Sequence, residues 1–144
     1  MSVEDMVTSS DYTSSVTLVI TGENITPDEV TTAIGLTPYK TWKKGGVRRF
    51  ESEREFVYPW SGWKLLMDDK VANQAFEEQL AYWCTILLPK KDVIDQVTMA
   101  GMNIYLECYL SFGGQVTATL DRALLEKLTN IGVNLSFNIF HFEE

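Results

Sequence analysis

Histidine is almost missing from this chain of 144 residues; His141 is the only one. A nucleophile activated by an imidazole base therefore has one candidate partner, and no Ser-His-Asp or Cys-His set is readable. His141 itself reads as a strand-end residue. Cysteine is nearly as scarce, with Cys84 and Cys108 alone and 24 positions apart. One histidine and two thiols at that spacing form no zinc pattern. Both cysteines fall in apolar periodic segments and are expected as buried free thiols of a cytosolic protein, without a disulfide. Long hydrophobic runs are also lacking. The longest uninterrupted one, Leu80 to Cys84, is far short of the roughly 20 residues that span a bilayer. The first residues carry Glu4, Asp5 and Asp11 without a greasy stretch, so no export signal is expected. Basic charge is in deficit: 12 Lys and Arg stand against 20 Asp and Glu, which gives a net charge of −8. Nucleic acid and anionic membranes repel such a surface at long range, and a cationic partner is favoured.

What is present suits one compact domain. At this length, with 45% hydrophobic residues, a core forms without a metal or disulfide staple. Residues 1–11 are expected as a disordered acidic N-terminus and 12–144 as a single domain. Val16, Leu18 and Ile20 alternate with Thr17, Val19 and Thr21, a β-branched pattern that predicts a strand closed by Gly22. Thr26-Pro27-Asp28-Glu29 predicts a helix start, with Thr26 as cap, Pro27 in the first position and Glu29 returning a capping-box bond. Gly35 and Thr37-Pro38 end that helix.

Residues 39–66 hold three of the four tryptophans and a Gly45-Gly46 turn signal. Strands are expected near Arg48 to Phe56 and near Trp63 to Met67. Phe76, Leu80, Trp83 and Leu87 then share one helical face, and Pro89 stops it. A short helix follows from Asp92 to Gly101. Ile104, Leu106, Cys108 and Leu110 alternate with polar neighbours along Met102 to Phe112. Leu124, Leu125, Leu128 and Ile131 are spaced for a helix, with Asp121 early and Gly132 at its end. Val133, Leu135, Phe137 and Ile139 predict a last strand with one core face and one polar face. The ends echo each other, as strand, helix with a closing Ile-Gly, and strand. Together these elements predict an α+β two-layer sandwich, a mostly antiparallel sheet with helices on one face, with the ferredoxin-like arrangement as one solution.

Few residues suggest chemistry. Glu51, Glu53 and Glu55 alternate and would share one strand face, but Arg48, Arg49 and Arg54 among them make a solvated charged edge the simpler meaning. Lys43-Lys44-Gly45-Gly46 lacks the remaining glycine, the Lys-Ser/Thr pair and the strand-to-helix setting of a phosphate loop. No catalytic residue, metal ligand or cofactor is assigned. Charge is unevenly spread, however: residues 40–64 hold seven positive and three negative side chains. Trp42, Phe50, Trp60 and Trp63 are interleaved there, as in surfaces on which bases stack. Elsewhere acid dominates, with pairs at Asp68-Asp69, Glu77-Glu78 and Glu143-Glu144. Close together on a surface, such pairs speed capture of a basic protein.

The layout resembles a bacterial family of domains of unknown function, number 4279, over about residues 14–140. The resemblance is carried by the strand ending in Thr21-Gly22, the helix from Thr26-Pro27-Asp28-Glu29-Val30 to Gly35-Leu36-Thr37-Pro38, and then Lys43-Lys44-Gly45 and Trp63. Phe76-Glu77-Glu78-Gln79-Leu80 and the stretch Leu120 to Phe137 complete it. Such domains are similar to proteins encoded beside polymorphic toxins, which implies an immunity role for some members and supplies no catalytic residues.

The expectation is a cytoplasmic, non-enzymatic immunity protein that occludes the active site of a cognate toxin domain, a basic nuclease among the candidates. Asp68, Asp69, Glu77 and Glu78 are the expected acidic contacts, and Trp60 and Trp63 the aromatic anchors. The alternative is a small-ligand or nucleic-acid module using residues 40–64. A third reading, an enzyme working through Glu51, Glu53 or Glu107, has the least behind it.

Overall fold

The computed structural model describes residues 13–23 and 25–142. The expected acidic N-terminus and the pair Glu143-Glu144 lie outside them. In chain order the elements are β1 (Thr13–Gly22), α1 (Pro27–Ile34), β2 (Lys40–Trp42), β3 (Val47–Arg49), β4 (Glu55–Val57), β5 (Ser61–Leu65), α2 (Phe76–Leu87), α3 (Lys91–Met99), β6 (Asn103–Gly113), α4 (Arg122–Ile131) and β7 (Asn134–Phe142). A 3-10 turn, Leu88–Lys90, carries Pro89 and links α2 to α3. No helix of the described residues is long and apolar enough to cross a membrane.

One sheet of five strands runs β2-β5-β1-β6-β7, and β3 with β4 forms a separate two-stranded ribbon. Every pairing in the large sheet is antiparallel except β6 with β7. Strand β5 inserts between β1 and β2, and β6 takes the other side of β1. The order of strand, helix, two strands, helix and strand on that layout is the ferredoxin-like split arrangement. It carries two additions here: the β3–β4 ribbon between β2 and β5, and α4 with β7 after β6. Both echoed units are present, but β5 separates the strands of the first, whereas β6 and β7 of the second are direct neighbours.

The register explains the core. Leu18 lies opposite Leu65 on one side and Leu106 on the other, and Ile20 lies opposite Trp63 and Ile104. These rows project to the face covered by Val30 and Ile34 of α1, Phe76, Leu80, Trp83 and Leu87 of α2, Ile94 and Val97 of α3, and Leu124, Leu128 and Ile131 of α4. Leu18, Leu80 and Leu106 are wholly buried; each such burial stabilises by about 1.5–3 kcal/mol. The opposite face of the sheet carries no helix among the described residues; on it Thr17 and Val19 of the central strand are buried, while Lys64, Tyr105, Glu107 and Tyr109 beside them are half-buried.

Strand β5 stops at Leu65, opposite Leu18, so among the described residues one side of β1 before Leu18 has no neighbouring strand. Helix α2 supplies the missing partners from side chains. The Val16 N–H donates to Gln79 Oε1 at 3.1 Å, and Trp83 Nε1 donates to the Val16 carbonyl at 2.9 Å. Gln79 and Trp83 stand one turn apart and therefore point the same way. The two hydrogens of Gln79 Nε2 are shared among four acceptors within 3.3 Å, the carbonyls of Ser14, Ala72 and Gln74 and the Ser14 hydroxyl. A fully buried amide is stable here because its donors and acceptor are all occupied.

Several expectations are corrected. Thr26 caps α1 with its backbone alone, its carbonyl accepting from Glu29 and Val30. Asp121 is the residue that caps with its side chain, Oδ1 accepting the Leu124 N–H at 2.8 Å. Residues 48–56 are not one strand: Phe50 to Arg54 form a loop in which Glu53 has φ 63, closed by the Phe50 N–H on the Arg54 carbonyl at 2.9 Å. Glu51, Glu53 and Glu55 therefore do not line one strand face. The last strand reaches Phe142, and its apolar side is core only at the start: Val133 is buried and Leu135 packs against the core, whereas Phe137 is 44% and Ile139 61% exposed. Alternation marks an apolar face; it does not say that anything covers it.

Candidate binding surface

The basic, aromatic region becomes an arm. Strands β3 and β4 pair Val47 with Val57, Arg48 with Phe56 and Arg49 with Glu55, outside the main sheet. One face of the ribbon thus presents Arg48, Phe56 and Tyr58, and the other Val47, Val57, Arg49 and Glu55. The Arg48 guanidinium lies 5.0 Å from the Phe50 ring centroid. Phe56 meets Tyr58 edge-on at 5.3 Å, and Tyr58 stacks on Trp42 at 5.6 Å. Val47, Phe50, Phe56 and Val57 are all exposed. A ribbon of two short strands cannot bury both faces, so these side chains meet solvent. The ion pair between Arg49 and Glu55 at 3.3 Å is exposed and adds little.

The arm is fastened at its root. Trp42 lies flat over Gly62, where a Cβ would fall inside the indole ring. Glycine is required there for close approach. The Gly45 N–H donates to the Tyr58 carbonyl and the Lys44 N–H to Ser61 Oγ, at 2.8 and 2.9 Å. Trp42 Nε1 is buried without a hydrogen-bond partner among the described residues.

Beside the arm, on the open face of the sheet, Trp60 borders a cleft of about 310 Å³ lined by Thr21, Asn103, Tyr105, Asn134 and Ser136. It contains no charged side chain. Asn134 Nδ2 reaches Asn103 Oδ1 at 3.4 Å, and the Tyr105 phenol is pushed up by burial and, to a lesser degree, by Glu107. The sequence alone does not assemble this cleft. It needs the starts of β6 and β7 side by side, and that adjacency is a matter of topology; the polar alternation at 103–109 and 134–138 was its only local mark.

The expected partner contacts do not converge. Trp63 is wholly buried and its Nε1 donates to Thr31 Oγ1 at 3.0 Å, so it is a core residue and cannot anchor a partner. Trp60, 48% exposed, precedes β5, whereas Asp68 and Asp69 follow it. A strand of five residues, roughly 16 Å, stands between them. Asp68 accepts from the Lys70 N–H at 2.9 Å and from Tyr82 Oη at 3.4 Å; Tyr82 lies one turn after Glu78 on α2. Asp68, Asp69 and Glu78 thus form an acidic shoulder at one end of the molecule. Glu77 turns elsewhere, its Oε1 accepting the Thr119 N–H at 3.0 Å.

The remaining reactive groups are quiet. Cys84 and Cys108 are buried free thiols. Burial, with a smaller contribution from Glu107, pushes Cys108 up to about 12, and burial raises Cys84 against an opposing effect of Lys127. Such thiols stay protonated and unreactive at neutral pH. His141 Nε2 sits 3.2 Å from the Gly114 carbonyl, in strand β7.

A family described as "Domain of unknown function (DUF4279)" matches residues 10–140. No curated protein and no solved structure matches the chain.

Proposed function

The chain belongs to the DUF4279 family, and from that premise we propose a function based on binding: a non-enzymatic, cytoplasmic immunity protein that holds a cognate bacterial toxin domain and blocks its active site. The observation that carries this reading is the arm. It displays aromatic rings and arginines without a core to fill, and Trp, Tyr and Arg are the residues in which binding energy concentrates at protein interfaces. The acidic body, with its shoulder at Asp68, Asp69 and Glu78, supplies long-range attraction for a cationic domain such as a nuclease. Contact and steering are thereby divided between two ends of the molecule.

Co-expression with the proposed cognate toxin tests the reading. Cells survive with the unaltered chain and die when Arg48 and Phe56 are both replaced by alanine while the protein stays folded and abundant. Killing at full expression of the unaltered chain sinks the idea.

The Trp60 cleft favours a second reading, a site for a small neutral ligand. Aromatic walls from Trp60 and Tyr105, with amides from Asn103 and Asn134, suit a flat or polyhydroxylated molecule held by stacking and hydrogen bonds. Titration with nucleosides and sugars, followed by tryptophan emission, is the test, because Trp60 is far more exposed than Trp63 or Trp83. Unchanged emission throughout removes this reading.

A further inference from the structure

The two edges of the sheet are built differently. At one, β2 has three residues and carries Lys40 and the root of the arm. At the other, β7 has nine residues, Asn134 to Phe142, without a charged residue of fixed sign, a proline or a glycine. Among the described residues only β6 pairs with it, and its outer row of N–H and C=O groups has no described strand beside it. Its side chains are open on both faces: Phe137 is 44%, Ile139 61%, Phe140 63% and Phe142 40% exposed. Short length, lysine, proline and bulges are the usual protections of a free edge, and β7 has none of them.

We propose that β7 pairs antiparallel with β7 of a second copy of this chain, about a two-fold axis at Asn138. The sequence complements itself in that register. Asn138 is the midpoint of Asn134–Phe142, so this is the pairing in which the whole strand overlaps. It sets Phe137 opposite Ile139 of the second copy on the helix side, and Phe140 opposite Ser136 on the open side. No like charges meet, although each chain carries −8; β7 is the uncharged line along which two acidic bodies come together.

The size lies near the lower bound for a specific interface. At about 200 Å² for a large side chain, the exposed parts of the four apolar residues come to roughly 400 Å² per copy. With the paired backbone, two copies approach the ~1,200 Å² at which specific interfaces begin. A two-fold interface closes on itself, so the product is a dimer with a continuous ten-stranded sheet and no filament. The toxin reading is not needed for any of this.

Sedimentation of the full chain over a dilution series from millimolar to micromolar is the test. The expected result is twice the mass of one chain, with association that tightens as added salt screens the repulsion between bodies. Ile139→Lys weakens association at least tenfold and leaves the circular dichroism unchanged, since position 139 is exposed. Asn138→Cys gives a disulfide-linked dimer on mild oxidation; the unaltered chain does not, because Cys84 and Cys108 are buried. A single-chain mass at every concentration overturns the proposal, as it would if only a foreign strand used this edge. So does a dimer that Ile139→Lys leaves intact, or one that Asn138→Cys fails to cross-link.

Discussion

Gln79 Oε1 accepts the backbone N–H of Val16 at 3.1 Å, across 63 positions of sequence. A helix side chain thereby does what a strand does elsewhere in the sheet, and with Trp83 Nε1 on the Val16 carbonyl it closes the side of β1 that β5 leaves uncovered. The helix layer is tied to the sheet by directed bonds as well as by apolar contact.

Replacing Gln79 with alanine strands the Val16 N–H and the carbonyls it satisfied in a dry interior. The expected loss is about 3 kcal/mol in chemical denaturation, a large part of the 5–15 kcal/mol typical of a domain. Glu78→Ala, on the exposed side of the same helix, should stay within about 0.5 kcal/mol.

Gly62→Ala expels the Trp42 indole from its seat on the sheet. A stability loss of about 2 kcal/mol is expected from the forced repacking, with a red shift of tryptophan emission. In a Trp42→Ala background the same change should cost much less, because the clash is gone.

The two helix starts differ in a measurable way. Asp121→Ala removes the bond to the Leu124 N–H and should cost about 1 kcal/mol. Thr26→Ala removes no side-chain cap and should cost a few tenths at most.

Stability should fall above pH 9. The Cys108 thiol is held at about 12 in the folded chain, against an ordinary value of 9. Between those values the unfolded chain has lost a proton that the folded chain retains, so rising pH favours unfolding. The contribution is fully present below the ordinary value and shrinks by up to about 1.4 kcal/mol per pH unit on the way to 12. Cys108→Ala, compared by urea denaturation between pH 8.5 and 10.5 (about the range in which model thiols ionise), should show a shallower decline.

Much of this fold could be read locally. The alternation from Ile104 to Leu110 has the period of β6, the stripe of Phe76, Leu80, Trp83 and Leu87 marks the inner face of α2, and Gly35 and Gly132 close their helices in the left-handed region at φ 74 and 86. Features that depend on neighbours were not legible. Gln79 sits beside Glu77 and Glu78 in sequence and gives no sign that β5 ends early and leaves Val16 to be satisfied. Strands of three residues, such as β3 and β4, are too short to show a period. Trp60 and Trp63 look alike in sequence, yet one borders the open cleft and the other is core, because the start of β5 separates them. The exposure of Phe137 and Ile139 follows from β7 being last in the sheet, which no property of β7 alone reveals.

The pairing of Thr13 with Ser111 and of Thr21 with Asn103 also imposes an order of events in time. β1, the middle of the sheet, leaves the ribosome before the other described strands, whereas β6, which flanks it along nearly its whole length, comes after β2, β3, β4 and β5. Closing so long a loop is entropically costly and slows folding. Until then β1 can meet only the short β5 and the side chains of α2. The N-terminal half of the nascent chain must therefore wait, incompletely assembled, for a strand still being synthesised.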